Sequence, residues 1–164
     1  MKSIYLSFLF MLMFTTTAVA QNDYTKEVAD FSILDLNGEI FTQDDLVDEH
    51  YKLFMYFNPS CNSCKAAFKK INAEVEQLKN LPVHFYPISF GNKDETLAFF
   101  DEYAPDFLKL ERFTILRESN YVFSDTYEVT AYPTLYLYKP NNDFVKSYMG
   151  MEKSAKFINH FLKK

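Results

Sequence analysis

The feature that most constrains this chain is a strand-like run that stops at a loop and gives way at once to a helix. Lys52-Leu53-Phe54-Met55-Tyr56-Phe57 is nearly continuous in apolar and aromatic side chains, the pattern of a strand covered on both faces. Asn58-Pro59-Ser60 breaks the run. From Cys61 the periodicity becomes helical, with Phe68, Ile71, Val75 and Leu78 on one stripe and Lys69, Lys70, Glu74 and Lys79 outside it. A covered strand feeding a helix belongs to a layered α/β domain. It also sets Cys61 and Cys64 in the helix's first turn.

The flanking segments extend the alternation. Residues 31–36 and 39–41, joined by Asn37-Gly38, read as a hairpin, and Thr42 is placed to cap a short helix through Val47. Val83–Ser89 is the next strand, with Pro87 pushing it toward an edge, a bulge or a strand end because it lacks a ladder donor. Asn92 and Glu95 have capping-box spacing ahead of a helix over 96–103 that Pro105 ends. A short strand at 113–116, a short helix at 119–127, strands at Thr134–Tyr138 and Phe144–Met149, and a last helix at 152–162 complete the order. In that helix Ala155, Ile158 and Leu162 share a face, flanked by Phe157 and Phe161. The order implies a mixed central sheet with helices on both faces.

Lys2, the apolar stretch 4–14 and the small residues Ala18 and Ala20 have the layout of a secretory signal peptide over residues 1–20, cleaved before Gln21. The segment decays into threonines after Phe14, too early for the roughly 20 apolar residues of a spanning helix. Residues 21–164 then form one domain, long enough to enclose a core and supplied with most of the chain's 18 Phe and 12 Tyr to fill it. Of 17 basic side chains Lys2 alone falls in the leader, so 16 basic face 22 acidic and the mature charge is −6. No basic stripe exists for nucleic acid.

Only two cysteines are present, three positions apart. A bond between such close neighbours closes almost no loop and contributes little to stability, so its use is chemical rather than structural. At a helix start, unpaired N–H groups and the helix dipole favour a thiolate, which marks Cys61 as the nucleophile. Cys64, one turn on, can attack a mixed disulfide formed at Cys61. A zinc site would need two further ligands, and His50, His84 and His160 are scattered. No metal is therefore expected.

The sequence resembles the TlpA/ResA-like branch of the thioredoxin superfamily over the whole mature chain. The resemblance rests on residues 31–42 with their Asn37-Gly38 turn and on Tyr56-Phe57-Asn58-Pro59-Ser60-Cys61-Asn62-Ser63-Cys64-Lys65. It rests equally on Ser124-Asp125-Thr126-Tyr127-Glu128-Val129-Thr130-Ala131-Tyr132-Pro133-Thr134 and on Tyr148-Met149-Gly150. It implies an α/β thioredoxin-like fold with an N-terminal hairpin extension. It implies a thiol-disulfide oxidoreductase using Cys61 and Cys64 without a cofactor, with Pro133 cis and facing the pair. The backbone of Tyr132 is then offered to an extended partner segment.

The implied partners are exported protein thiols or disulfides and a membrane-bound or soluble electron donor, in the periplasm or another extracytoplasmic space, with the protein acting as a reductant. The departures are specific. Ser60 and Ser63 stand where the family commonly has Trp and Pro, and Met55 stands where thioredoxins place a buried acid. Asp94 and Glu95 lie near enough to serve as the acid, although their spacing from Asn92 assigns them to a helix cap. Lys65 could add positive potential beside the pair, but is equally a solvated surface lysine. Three other readings compete. A Cu(I) carrier would use the two thiolates and a nearby histidine. A peroxiredoxin-like peroxidase shares the opening pattern but not the Pro-x-x-x-Thr-x-x-Cys setting. A binding module would keep the fold without exchange activity.

Overall fold

In the computed structural model, which describes residues 23–162, a row of strands carries the architecture; the leader expected at 1–20 lies outside the described residues. The strands are β1 (Ser32–Asp35), β2 (Ile40–Thr42), β3 (Tyr51–Phe57), β4 (Val83–Ser89), β5 (Leu116–Arg117), β6 (Thr134–Tyr138) and β7 (Phe144–Met149). They form one mixed sheet in the order β2-β1-β5-β4-β3-β6-β7. β3 runs parallel to β4, from Tyr51 opposite Val83 to Phe57 opposite Ser89. It runs antiparallel to β6, from Lys52 opposite Tyr138 to Tyr56 opposite Thr134. The C-terminal ends of β3, β4 and β5 and the start of β6 therefore share one edge of the sheet.

The helices are α1 (Asn62–Asn72), α2 (Val75–Leu78), α3 (Lys93–Tyr103), α4 (Val122–Thr126), α5 (Met151–Ser154) and α6 (Ile158–Leu162). Strand alternation divides the interior in two. Leu53, Met55, Phe57, Val83, Phe85, Leu135 and Leu137 pack with α1, α2, α3 and the C-terminal helices. Phe54, Tyr56, Tyr86, Ile88, Tyr136 and Tyr138 pack with α4 and the N-terminal segment on the opposite face. Both layers are aromatic: Phe57 lies 4.8 Å from Phe68 and 4.6 Å from Phe99, and Phe123 stacks on Tyr127 at 4.0 Å. Each such ring, fully buried, contributes roughly 1.5–3 kcal/mol. The expected fold class, with its N-terminal hairpin, is the observed one.

Several local expectations need correction. Pro87 sits in the fourth of seven strands, not at an edge. On the β5 side, Phe85 exchanges bonds with Arg112 and Thr114, and Ser89 accepts from Glu118. Pro87 falls between these two contacts, where β5 is only two residues long and no regular ladder is interrupted. The hairpin connection is longer than two residues: the Asp35 carboxylate accepts from the N–H groups of Asn37 at 2.7 Å and Glu39 at 2.9 Å, and Gly38 takes φ +87°. The helix begun at Cys61 stops at Asn72, and Glu74 donates to Ile71 in a tighter turn before α2 resumes the same apolar stripe. Thr42 caps a single 3₁₀ turn, Gln43–Asp45, not a helix through Val47. The last helix is divided by a 3₁₀ turn, Ala155–Phe157, so Phe157 and Ile158 are buried while Leu162 is 55% exposed.

Candidate active site

The site grows from the end of β3. Asn58 knits the loop that follows: its side-chain oxygen accepts from the Ser60 N–H at 2.9 Å and hydroxyl at 2.7 Å, and its carbonyl accepts from the Cys61 N–H at 3.0 Å. Pro59 lies against Gly91, where a Cβ would meet the Pro59 ring at 2.8 Å. Glycine lets the β4–α3 connection close on this loop. Cys61 is the N-cap of α1 in extended conformation, φ −79° and ψ 118°, and its carbonyl accepts from Lys65 N–H at 3.1 Å.

Cys61 is half-buried and Cys64 fully buried; both are free thiols. Burial pushes the Cys64 thiol well above the ordinary cysteine range, partly offset by the Asn58 backbone and reinforced by the neighbouring Cys61. Cys64 shares its core layer with Met55, so that layer puts a thioether where thioredoxins have an acid. Glu95 is occupied as a cap, its carboxylate accepting from Asn92 N–H at 3.0 Å while its own N–H donates to the Asn92 side chain at 2.9 Å. Lys65 and Lys69 both lie over the Tyr103 ring, at 5.4 and 5.0 Å. An open groove of about 440 Å³ runs beside Ser60, walled by Pro59, Phe90, Phe99 and Tyr103.

The Tyr132-Pro133 bond is cis. Pro133 immediately precedes β6, whose first residue Thr134 pairs with Tyr56, and the Pro133 carbonyl accepts from Gly150 N–H at 2.7 Å. Tyr132 is thereby brought to the strand end from which the cysteine loop departs. It is 38% exposed, and its phenol is raised above its usual range by burial, then by Glu118, Tyr121 and Cys64. The structure thus gathers Cys61, Cys64, Tyr132 and Pro133 at one edge.

Two residues at this edge escape the sequence reading. Glu118, 3% exposed at the end of β5, accepts from the Tyr56 hydroxyl, from Phe123 N–H at 2.7 Å and from Ser124 N–H at 3.3 Å. Tyr56 in turn stacks on Tyr132, ring centres 5.7 Å apart. A signal for this pair was available: a tyrosine in a strand covered on both faces requires a buried partner for its hydroxyl.

Comparison with known proteins agrees with this geometry. A family model described as a thioredoxin-like domain matches residues 46–163. The thioredoxin domain of a thiol-disulfide oxidoreductase from Bacteroides vulgatus superposes with a TM-score of 0.65 at 14% identity, over 85% of this chain and 97% of that one. A secreted disulfide oxidoreductase from Mycobacterium tuberculosis gives 0.60 at 18% identity, over 79% and 95%. Copper-bound ScoI from Arabidopsis thaliana gives 0.61 at 16% identity, over 81% and 94%. No curated protein sequence matches the chain. With a family model spanning most of its length, the chain belongs to the thioredoxin-like family.

Proposed function

We propose that this protein is a thiol-disulfide oxidoreductase that reduces exported protein partners through Cys61 and Cys64. The observation that carries the reading is the asymmetry of the pair: one half-buried cysteine at a helix start, with a fully buried one a turn further on. The Cys61 thiolate attacks a partner disulfide, forming a mixed disulfide and expelling one partner thiolate, which takes up a proton. Cys64 then loses its proton and attacks the Cys61 sulfur, forming the Cys61–Cys64 disulfide and releasing the second partner thiol. The partner gains two electrons and the protein loses two. Tyr132 and Pro133 are positioned to receive an extended partner segment beside Cys61.

Action outside the cytoplasm is supported by the leader-like first 20 residues and by likeness to a secreted relative. Incubating Cys64→Ser with a disulfide-bearing protein should trap an adduct at Cys61, read by mass spectrometry. Absence of an adduct with every disulfide protein offered would refute the reading. The reduction potential of the pair against glutathione tests the direction, a low value marking a reductant.

A Cu(I) carrier is the second reading, since one structural relative holds copper and thiolates suit Cu(I). Among the described residues no third histidine, cysteine or carboxylate clusters with the pair, so this chain supplies two sulfur ligands there and fits the metal less well than it fits exchange. Competition with a Cu(I) chelator separates the two readings.

A further inference from the structure

Glu118 is a buried carboxylate that the exchange chemistry above does not use. Burying a charge is costly unless it is fully paired, and the pairing here is divided. One oxygen accepts from Phe123 N–H at 2.7 Å, as expected of a group satisfying the start of α4. The other accepts from the Tyr56 hydroxyl. Capping α4 does not need that second bond, and a phenylalanine at 56 would fill the same layer.

What the second bond does is hold a ring. Tyr56 is fully buried and lies between two other rings, Phe123 at 5.8 Å and 8° and Tyr132 at 5.7 Å and 24°. With its hydroxyl tied to Glu118, Tyr56 presents a fixed face to Tyr132. Tyr132 is the partly exposed residue of the Tyr132–Pro133 step, which enters β6 beside the end of β3 from which the cysteine loop departs. Glu118 and Tyr56 stand on the sheet face opposite Cys64, whose own layer contains Met55. Their influence on the site therefore runs through Tyr132 and not through a proton passed to a sulfur.

We propose that Glu118, acting through the Tyr56 hydroxyl, is a positioning residue for the Tyr132–Pro133 loop and so governs how tightly a protein disulfide is held, without altering the reactivity of Cys61. The proposal rests on the exchange function above, and two readouts separate it from a merely structural role. In Tyr56→Phe, which keeps the ring and the α4 cap, insulin disulfide reduction should fall several-fold in kcat/KM, mainly through KM, the scale of one lost buried hydrogen bond of about 1 kcal/mol. Alkylation of Cys61 by iodoacetamide should stay at the wild-type rate. Glu118→Gln, which keeps the cap and can contact Tyr56 with donor and acceptor exchanged, should lose less.

The second readout needs no activity. With Cys61 alkylated and Cys64 shielded by its burial, nitration of Tyr132 by tetranitromethane, mapped by peptide mass spectrometry, should be several-fold faster in Tyr56→Phe, because the loop is less fixed. Unchanged Tyr132 nitration would overturn the proposal, as would equal losses in insulin reduction and Cys61 alkylation. If the wild-type protein itself leaves insulin oxidised, the exchange reading fails, and the nitration arm alone decides whether the loop is held.

Discussion

At the scale of single residues, three positions separate the sulfurs in sequence, yet burial gives them different environments. Cys61 is reachable at the N-cap, while Cys64 is covered by Phe68 and its neighbours in the core and held as a thiol by that burial. Limited iodoacetamide treatment of the reduced protein at pH 8 should therefore label Cys61 at least about tenfold faster than Cys64, because the thiolate is the reactive species. Peptide mapping over time checks this, and equal rates would remove the basis for assigning attack to one sulfur and release to the other. The same burial fixes a pH dependence. A thiol raised above its usual range is mostly protonated at neutrality, so its thiolate fraction grows about tenfold per pH unit until the raised pKa is approached. Release of glutathione from a Cys61 mixed disulfide should accelerate accordingly between pH 7 and 9; a flat profile would show that some group relieves Cys64 of its proton.

At the scale of elements, the connection between β4 and α3 bears directly on the cysteine loop. Gly91→Ala would drive a methyl to 2.8 Å from the Pro59 ring and 3.2 Å from the Glu95 carboxylate, disturbing both the loop before Cys61 and the cap of α3. It should lower stability by about 1–3 kcal/mol, the usual cost of overpacking, and slow Cys61 alkylation, whereas Ala98→Gly on α3 should leave that rate alone. Denaturant midpoints and alkylation rates of the two variants provide the comparison; a normal alkylation rate in Gly91→Ala would detach the loop geometry from reactivity. How far such elements could be read in advance depended on how local their causes are. β3, β6 and β7 were legible because an apolar run or its alternation is written into consecutive residues, and so was the cysteine pair at the start of α1. Pro133 came from a motif. Pro87 was misplaced because its tolerance depends on β5, a remote strand of two residues. Glu118 was invisible for a related reason: between Arg117 and Ser119 it reads as surface, and only the tertiary arrangement of Tyr56, Phe123 and Ser124 buries it.

At the scale of the whole molecule, the sheet's opposite end carries a titratable group that ties global stability to acid. His84 on β4 is 9% exposed, stacks on Tyr86 at 4.4 Å, and places Nε2 2.8 Å from the Thr114 hydroxyl. Burial first, then His50 and Arg112, lower its pKa to about 4 from 6.5. Lys52, buried on the adjoining strand opposite His84, adds a further cation nearby. The imidazole is thus neutral in the folded protein and free to protonate on unfolding. Its contribution to stability is present in full above pH 6.5 and is lost as pH falls toward 4, by up to roughly 3 kcal/mol, because each pKa unit is worth about 1.4 kcal/mol. That is a large part of the 5–15 kcal/mol typical of a domain, and it acts far from the thiols. Urea unfolding followed by far-ultraviolet circular dichroism, at pH 7 and pH 4.5, should show the loss in the wild-type protein and much less of it in His84→Gln. A variant that lost stability as steeply as the wild type would assign the acid sensitivity to the protein's carboxylates and leave His84 as an ordinary member of the aromatic layer.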